Sequence, residues 1–165
     1  MLAKGEDTLE MELARARVEK ALSQYEDLQV ITFAVDTSTS ELAAKALNVA
    51  VGQIAKSLCF LGDGEPFLVV SVGDKKMDSK KLAKALNKKK IKFADAQKVF
   101  DCTGFLPGGV CPFALQEDIP IYLDQSLWQY EVVYAAAGTS DTAVPIKPQY
   151  LLEITKGQLI DATID

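Results

Sequence analysis

Residues 54–73 read IAKSLCFLGDGEPFLVVSVG. Ile54 to Gly62 and Glu65 to Gly73 are two runs with the apolar, β-branched and aromatic content of strands, and Gly62-Asp63-Gly64 stands at their junction. An Asp-Gly pair between two such runs predicts an antiparallel hairpin, because both residues of a two-residue turn need positive φ. Upstream, Asp7 to about Tyr25 carries Leu9, Leu13, Ala16 or Arg17, and Ala21 at three- and four-residue steps, which predicts a helix with that stripe inward. LQVITFAV (28–35) reads as a strand. Thr39 or Ser40 then caps a helix through ELAAKAL, Asn48 ends it, and a short helical turn over Val51–Ile54 leads into the hairpin.

Downstream, a helix from Ser79 turns Leu82, Ala83 and Leu86 inward and its lysines outward. Asp95 to Phe100 reads as a helical turn, IPIYLD (119–124) as a short strand and SLWQY (126–130) as a turn or short helix. YEVVYAAAG (130–138) reads as a strong strand, and TAVPIKP (142–148) as an edge strand because Pro145 cannot donate to a ladder. PQYLLEIT is a helix with Pro148 in its first turn, and GQLIDATI closes the chain as a strand. Strand clusters separated by helices, with hairpin links, predict an α+β fold: a mixed, partly closed β-sheet surrounded by helices. At 165 residues the expectation is one domain, with residues 1–27 a helical extension on a core at 28–165.

There is no histidine, which excludes Ser-His-Asp and Cys-His catalysis and removes the commonest metal ligand. The three cysteines, Cys59, Cys102 and Cys111, match no common zinc spacing. No metal or cofactor is expected. With no apolar run near the ~20 residues of a membrane span, and a charged N-terminal stretch, the expectation is a reduced, cytoplasmic protein without a membrane partner. The net charge of −5 hides an asymmetry. Residues 75–98 hold ten lysines against Asp78 and Asp95, while the rest of the chain is strongly acidic. Such a patch, with Lys88, Lys89 and Lys90 at its centre, is either a solvated helix face or a footprint for phosphate.

Residues 103–114, TGFLPGGVCPFA, are apolar yet too rich in Gly and Pro for a helix or strand. Gly108 and Gly109 let a ligand approach the main chain, and Pro107 and Pro112 stiffen the flanks. The loop is either a connector or a rigid turn whose main chain a ligand can approach closely. Lys56, entering an apolar strand, either snorkels outward or points its ammonium into a pocket.

Three stretches resemble one family in order. AAKALNVAVGQIAKSLCF (43–60), TGFLPGGVCPFAL (103–115) and IPIYLDQSLWQYEVVYAAAGTSDTAVPIKPQYLLEIT (119–155) are similar to segments of the YbaK/ProX-type aminoacyl-tRNA deacylases, whose module also occurs as the editing insertion of bacterial prolyl-tRNA synthetases. The resemblance runs from about residue 32 to the C-terminus. It implies hydrolysis of the ester between an amino acid and the terminal ribose of a tRNA. It also implies a mixed sheet around a pocket, with aminoacyl-tRNA as partner and an aminoacyl-tRNA synthetase as a second one.

By that resemblance Lys56 is the principal site residue, with Gly108 and Gly109 forming a backbone oxyanion site. Val110, Cys111 and Pro112 continue the loop along the substrate, Thr103 and Phe113 shape the pocket, and Gly138 lets backbone pass close to it. Asp124 either orients the substrate's amino group or caps the turn before SLW. Cys111 tunes side-chain selectivity rather than acting as nucleophile, since nothing like histidine lowers its pKa. Lys88, Lys89 and Lys90 would contact tRNA phosphates. Without histidine, the ribose hydroxyl beside the ester would help position the attacking water. Two positions depart from the family: Ala114 stands where many members have Gly, and Thr139-Ser140-Asp141 where many carry a basic pair. The leading expectation is therefore a trans-editing hydrolase. The alternative is a catalytically weak tRNA- or synthetase-binding module of the same fold, and a third reading is an unrelated small-molecule or nucleotide-binding domain.

Overall fold

The computed structural model describes the backbone of residues 4–164 and the side chains of residues 8–164. The predicted hairpin is its centre. Strands β2 (Ile54–Gly62) and β3 (Glu65–Val72) pair antiparallel from Ala55↔Val72 to Gly62↔Glu65. The two-residue turn has Asp63 at φ 50° and Gly64 at φ 88°, the double positive φ that an Asp-Gly pair supplies.

Helix α1 (Lys4–Leu22) precedes β1 (Ile31–Thr32) and α2 (Ser40–Leu47). After the hairpin come β4 (Lys76–Met77), α3 (Ser79–Leu86), β5 (Ile91–Phe93) and α4 (Ala96–Thr103). The last part holds β6 (Ile121–Asp124), β7 (Val133–Ala135), β8 (Thr142–Ile146), α5 (Pro148–Thr155), β9 (Gln158–Ile160) and β10 (Thr163–Ile164). The main sheet runs β1-β8-β7-β2-β3-β6-β9, with β5 also on β2; β10 and β4 form a separate pair. Pairings β2–β7, β3–β6 and β6–β9 are parallel and the others antiparallel, so the sheet is mixed and the α+β expectation holds.

Local signals place the helix ends. Thr39 caps α2 by accepting from the Leu42 N–H, and Asn48 ends it at φ 58°. Asp78 and Asp95 cap α3 and α4 in the same way. Strand β3 is buried on both faces from Phe67 to Val72. One face of the hairpin, through Ala55, Val70 and Val72, packs with α1, Phe105, Leu123, Leu127 and Leu151. The other, through Phe60, Phe67 and Val69, packs under Leu82 of α3.

Four expectations are corrected. In α1 the buried face is Ala14, Val18 and Leu22, whereas Leu9 and Leu13 are each 54% exposed. A side chain added at Gly138 would lie 3.1 Å from the Ala14 carbonyl and from Val18, so the helix approaches backbone there and its small side chains face the contact. The strand expected at 28–35 pairs only at Ile31 and Thr32; downstream it stops because β8 begins at Thr142 and β1 there meets a turn. Strand β7 is three residues long, its chain leaving β2 after Ala135. Strand β8 is not the outermost, since β1 covers Thr142 and Ala143, and Pro145 lies past the end of that cover.

Replacing Val18 by Ala should destabilise the protein by about 2 kcal/mol, from two buried methyl groups at ~0.8 kcal/mol each plus a cavity term. Leu13→Ala should stay within about 0.5 kcal/mol. Urea midpoints at constant m-value measure both, and equal losses would contradict the observed helix face.

Candidate active site

The outer edge of β2 has two partial partners. Strand β7 runs beside it in parallel at Ile54 and Ala55, and β5 pairs antiparallel at Phe60–Gly62. Neither register reaches Lys56–Leu58. The Cys59 carbonyl accepts from the Ala94 N–H at 3.1 Å, so Cys59 faces this outer edge. Backbone groups of a strand alternate in direction, so the N–H and C=O of Ser57 point the same way, into the gap. The Ser57 hydroxyl is buried and has no partner among the described residues.

A cavity of about 240 Å³ opens at this gap. Its lining includes Lys56, Ser57, Gly108, Val110, Tyr134 and Thr142, closed on one side by Thr37–Ser40. Lys56 is half-buried, and its ammonium donates to the Lys75 carbonyl at 2.7 Å. Burial lowers its pKa from 10.5 by disfavouring the charged form, while Glu41 and Asp74 partly offset that. Ser71, directly opposite Lys56 on β3, also has a buried hydroxyl without a partner.

The glycine-rich loop meets the cavity through one turn. Gly109 N–H donates to the Leu106 carbonyl at 3.0 Å, with Pro107 next and Gly108 at φ 87°. Proline followed by a positive-φ glycine is the signature of a type II turn. Gly108 and the following Val110 line the cavity. Gly109 does not, because its N–H closes the turn and its α-carbon lies against the chain at 138–139; a side chain there would lie 2.6 Å from the Gly138 oxygen.

Of the residues expected at the site, Lys56, Gly108 and Val110 share the cavity, and the others lie outside its lining. Thr103 is buried at the end of α4, its hydroxyl donating to the Val99 carbonyl and accepting from the Phe105 N–H. Cys111 is fully buried, and desolvation pushes its thiol up to about 12, which removes it as a nucleophile. Pro112 and Phe113 border a different groove, near Leu22 and Ile121. Gly138 borders an apolar hollow behind the loop, beside Met11 and Phe100. Asp124 is a buried structural carboxylate: it accepts from Ser126 N–H and Oγ, Ala162 N–H at 2.7 Å and Thr163 Oγ1 at 2.8 Å. It anchors the C-terminal segment to β6, so of its two readings the cap is the one realised.

Lys88, Lys89 and Lys90 sit at the hairpin tip. Lys89 and Lys90 N–H groups donate to the Asp63 carboxylate, and the Lys88 ammonium lies 3.9 Å from Glu65. Asp63 stands seven residues after Lys56, so the patch is roughly 20 Å from the cavity at ~3.3 Å per residue.

Residues 34–154 match the aminoacyl-tRNA editing domain family. The chain belongs to that family. It is 37% identical to protein YwhH of Bacillus subtilis over 76% of this chain and 80% of that one. It is 30% identical to EbsC of Enterococcus faecalis, a candidate Cys-tRNA(Pro)/Cys-tRNA(Cys) deacylase, over 78% of this chain and 79% of that one. Its fold matches the crystal structure of a candidate trans-editing enzyme for prolyl tRNA synthetase, with a TM-score of 0.86 and 32% identity over 92% of this chain and 98% of that one. The membership is of the YbaK type that its motifs resemble.

Within this editing fold, both unusual positions have structural explanations. Ala114 keeps a left-handed φ of 53°, and its carbonyl accepts from Arg17 Nε at 2.9 Å. Arg17 also donates to the Thr103 carbonyl at 3.0 Å and lies over the Phe105 ring at 4.8 Å. One guanidinium from α1 thus holds both ends of the glycine-rich loop. In the Thr139-Ser140-Asp141 turn, Thr139 donates to Asp141, while the Ser140 carbonyl accepts from Thr37 N–H and Oγ1. That turn holds the Thr37–Ser40 wall. The sequence alone points to Thr39 or Ser40 as a cap and to Arg17 as one option in a helix stripe, and it assigns no role to Thr37 or Ser38. The run DTSTS was the available signal.

Asp124→Ala should cost about 3 kcal/mol or more, because it orphans buried donors. Any ester hydrolysis that the wild type shows should persist in the folded fraction of the variant, measured beside the urea midpoint. Lost activity with unchanged stability would return Asp124 to the substrate.

Proposed function

We propose that the protein hydrolyses the ester of mischarged aminoacyl-tRNA in trans, in the cytoplasm where translation runs. The observation that carries this reading is that one cavity is lined by Lys56, Ser57 and Gly108, beside the stretch of β2 that neither neighbouring strand pairs. The editing family and its prolyl-tRNA synthetase-linked neighbours support the same assignment. Carbonyl oxygen of the bound ester takes hydrogen bonds from main-chain N–H groups of Ser57, Gly108 or Val110. Negative charge grows on that oxygen as water attacks, and fixed dipoles in a partly dry site stabilise it more than they stabilise the ground state.

Lys56 contributes a cation whose hold on the Lys75 carbonyl can be exchanged for an ester or phosphate oxygen. Water forms the new carbon–oxygen bond, and the bond to the ribose oxygen breaks. The proton lost by the water passes through the neighbouring ribose hydroxyl to the leaving oxygen, so no histidine is required. The amino acid leaves as a carboxylate and the tRNA as its free 3′ end. Lys88, Lys89 and Lys90 act at a distance from this chemistry, on the phosphates of the same tRNA, and a synthetase is a second partner by analogy with the neighbours.

Deacylation of a panel of mischarged tRNAs tests this. Lys56→Ala should lower kcat/KM by about 100-fold or more on each edited substrate. Unchanged rates would remove Lys56 from the site, and a wild type inactive on every member while binding tRNA would favour the binding module.

The pH profile separates two roles of the lysine. If the ammonium is the working form, the enzymatic rate above spontaneous hydrolysis falls on the alkaline side, beginning below 10.5 because burial depresses the pKa. Lys56→Arg, which stays charged, should remove that limb. A rate that instead climbs with pH through the depressed pKa would make the neutral amine a base.

A further inference from the structure

Phe93 is 65% exposed, more than any other exposed large hydrophobic among the described residues. Single exposed apolar residues are ordinary, but this one ends an ordered pile. Its ring lies 4.6 Å from Phe60 at 28°, and Phe60 lies 5.6 Å from Phe67 at 21°. Phe60 and Phe67 are buried, and Tyr122 supports Phe67 edge-on. The stack therefore runs from the core outward and stops at an open aromatic face held rigid from beneath.

The surroundings are cationic. Lys89, Lys90 and Lys92 precede Phe93 within four residues and are exposed. Lys88 leans over Gly62, where an added side chain would lie 3.2 Å from its Cγ. Phe93 pairs with Phe60, three residues along β2 from Ser57, and the chain leaves the strand at Ala94. Phe93 thus lies on the strand that borders the gap, and its partner Phe60 is about 10 Å along β2 from Ser57 at ~3.3 Å per residue.

A rigid aromatic face flanked by lysines is the combination that holds single-stranded nucleic acid, the ring stacking a base and the cations tracking its backbone. We propose that Phe93 is the stacking platform for an unpaired base near the 3′ end of the RNA whose ester enters the cavity. This rests on the deacylase reading for the identity of the RNA, and it assigns the one aromatic of β5 to substrate binding. The lysines of the tip then contact the adjoining paired stem, which accounts for their distance from Lys56.

Binding of uncharged acceptor-stem minihelices tests this without any ester chemistry. Phe93→Ala should weaken a minihelix with a single-stranded 3′ end roughly 5- to 150-fold, the range for one lost base stack. It should leave a blunt minihelix lacking that end unaffected, and Phe93→Trp should restore the affinity. Lys89→Ala with Lys90→Ala should instead weaken both RNAs and flatten the salt dependence. With charged tRNA, Phe93→Ala should raise KM and leave kcat near wild type. Equal weakening of both minihelices, or no weakening of either, overturns the proposal; the second outcome would leave the ring to a protein partner. Because these minihelices carry no amino acid, a wild type that binds them selectively but hydrolyses nothing would sink the deacylase reading and leave the stacking site standing.

Discussion

A β-strand has two edges, and in this protein one edge of β2 is given to two partners that cannot meet. Strand β7 departs after Ala55 and β5 arrives at Phe60, so the peptide of Ser57 has no ladder to join. An unpaired buried backbone group is costly. The chain tolerates it here because the gap opens on a cavity, where water or a ligand can satisfy the group. Everything at the site is arranged around that opening: Lys56 is its neighbour in β2, the type II turn at Leu106–Gly109 faces it, and the Thr37–Ser40 segment closes one side.

The loop opposite the gap is held from outside the region that the family motifs cover. Arg17, on α1, bonds the carbonyls of Thr103 and Ala114 and lies on Phe105, so it ties down the two ends of a segment too rich in Gly to hold itself. Charge-assisted bonds to two separate carbonyls fix a loop better than either bond alone. The helix that carries Arg17 packs Ala14, Val18 and Leu22 into the same core cluster as Phe105 and Cys111. The N-terminal helix is thereby part of how the site is shaped.

Features that depend on a few adjacent residues were legible. The Asp-Gly hairpin, the Thr39 cap, the left-handed Asn48 and Pro148 at the start of α5 each follow from local backbone preferences. Features that depend on a distant partner were not. Two stripes of α1 carry apolar residues at helical spacing, and the close approach at Gly138 decided for the one with the small side chain. The segment at 28–35 has strand composition, but only two of its residues, Ile31 and Thr32, find partners on β8. Asp124 follows a strand as a catalytic carboxylate would, yet Ala162 and Thr163 arrive from the far end of the chain to bond it.

Sequence by itself determined the central hairpin, the helix ends, the mixed α+β class, the absence of imidazole and the concentration of positive charge in one segment. Each is a property of composition or of neighbours within a turn. Only the tertiary structure decided which loop positions line a cavity with Lys56, and that Phe93 ends an aromatic stack on the strand beside the unpaired stretch of β2. Those outcomes depend on how residues more than thirty positions apart meet across a sheet, and a two-residue periodicity says which way a side chain points without saying what stands opposite it.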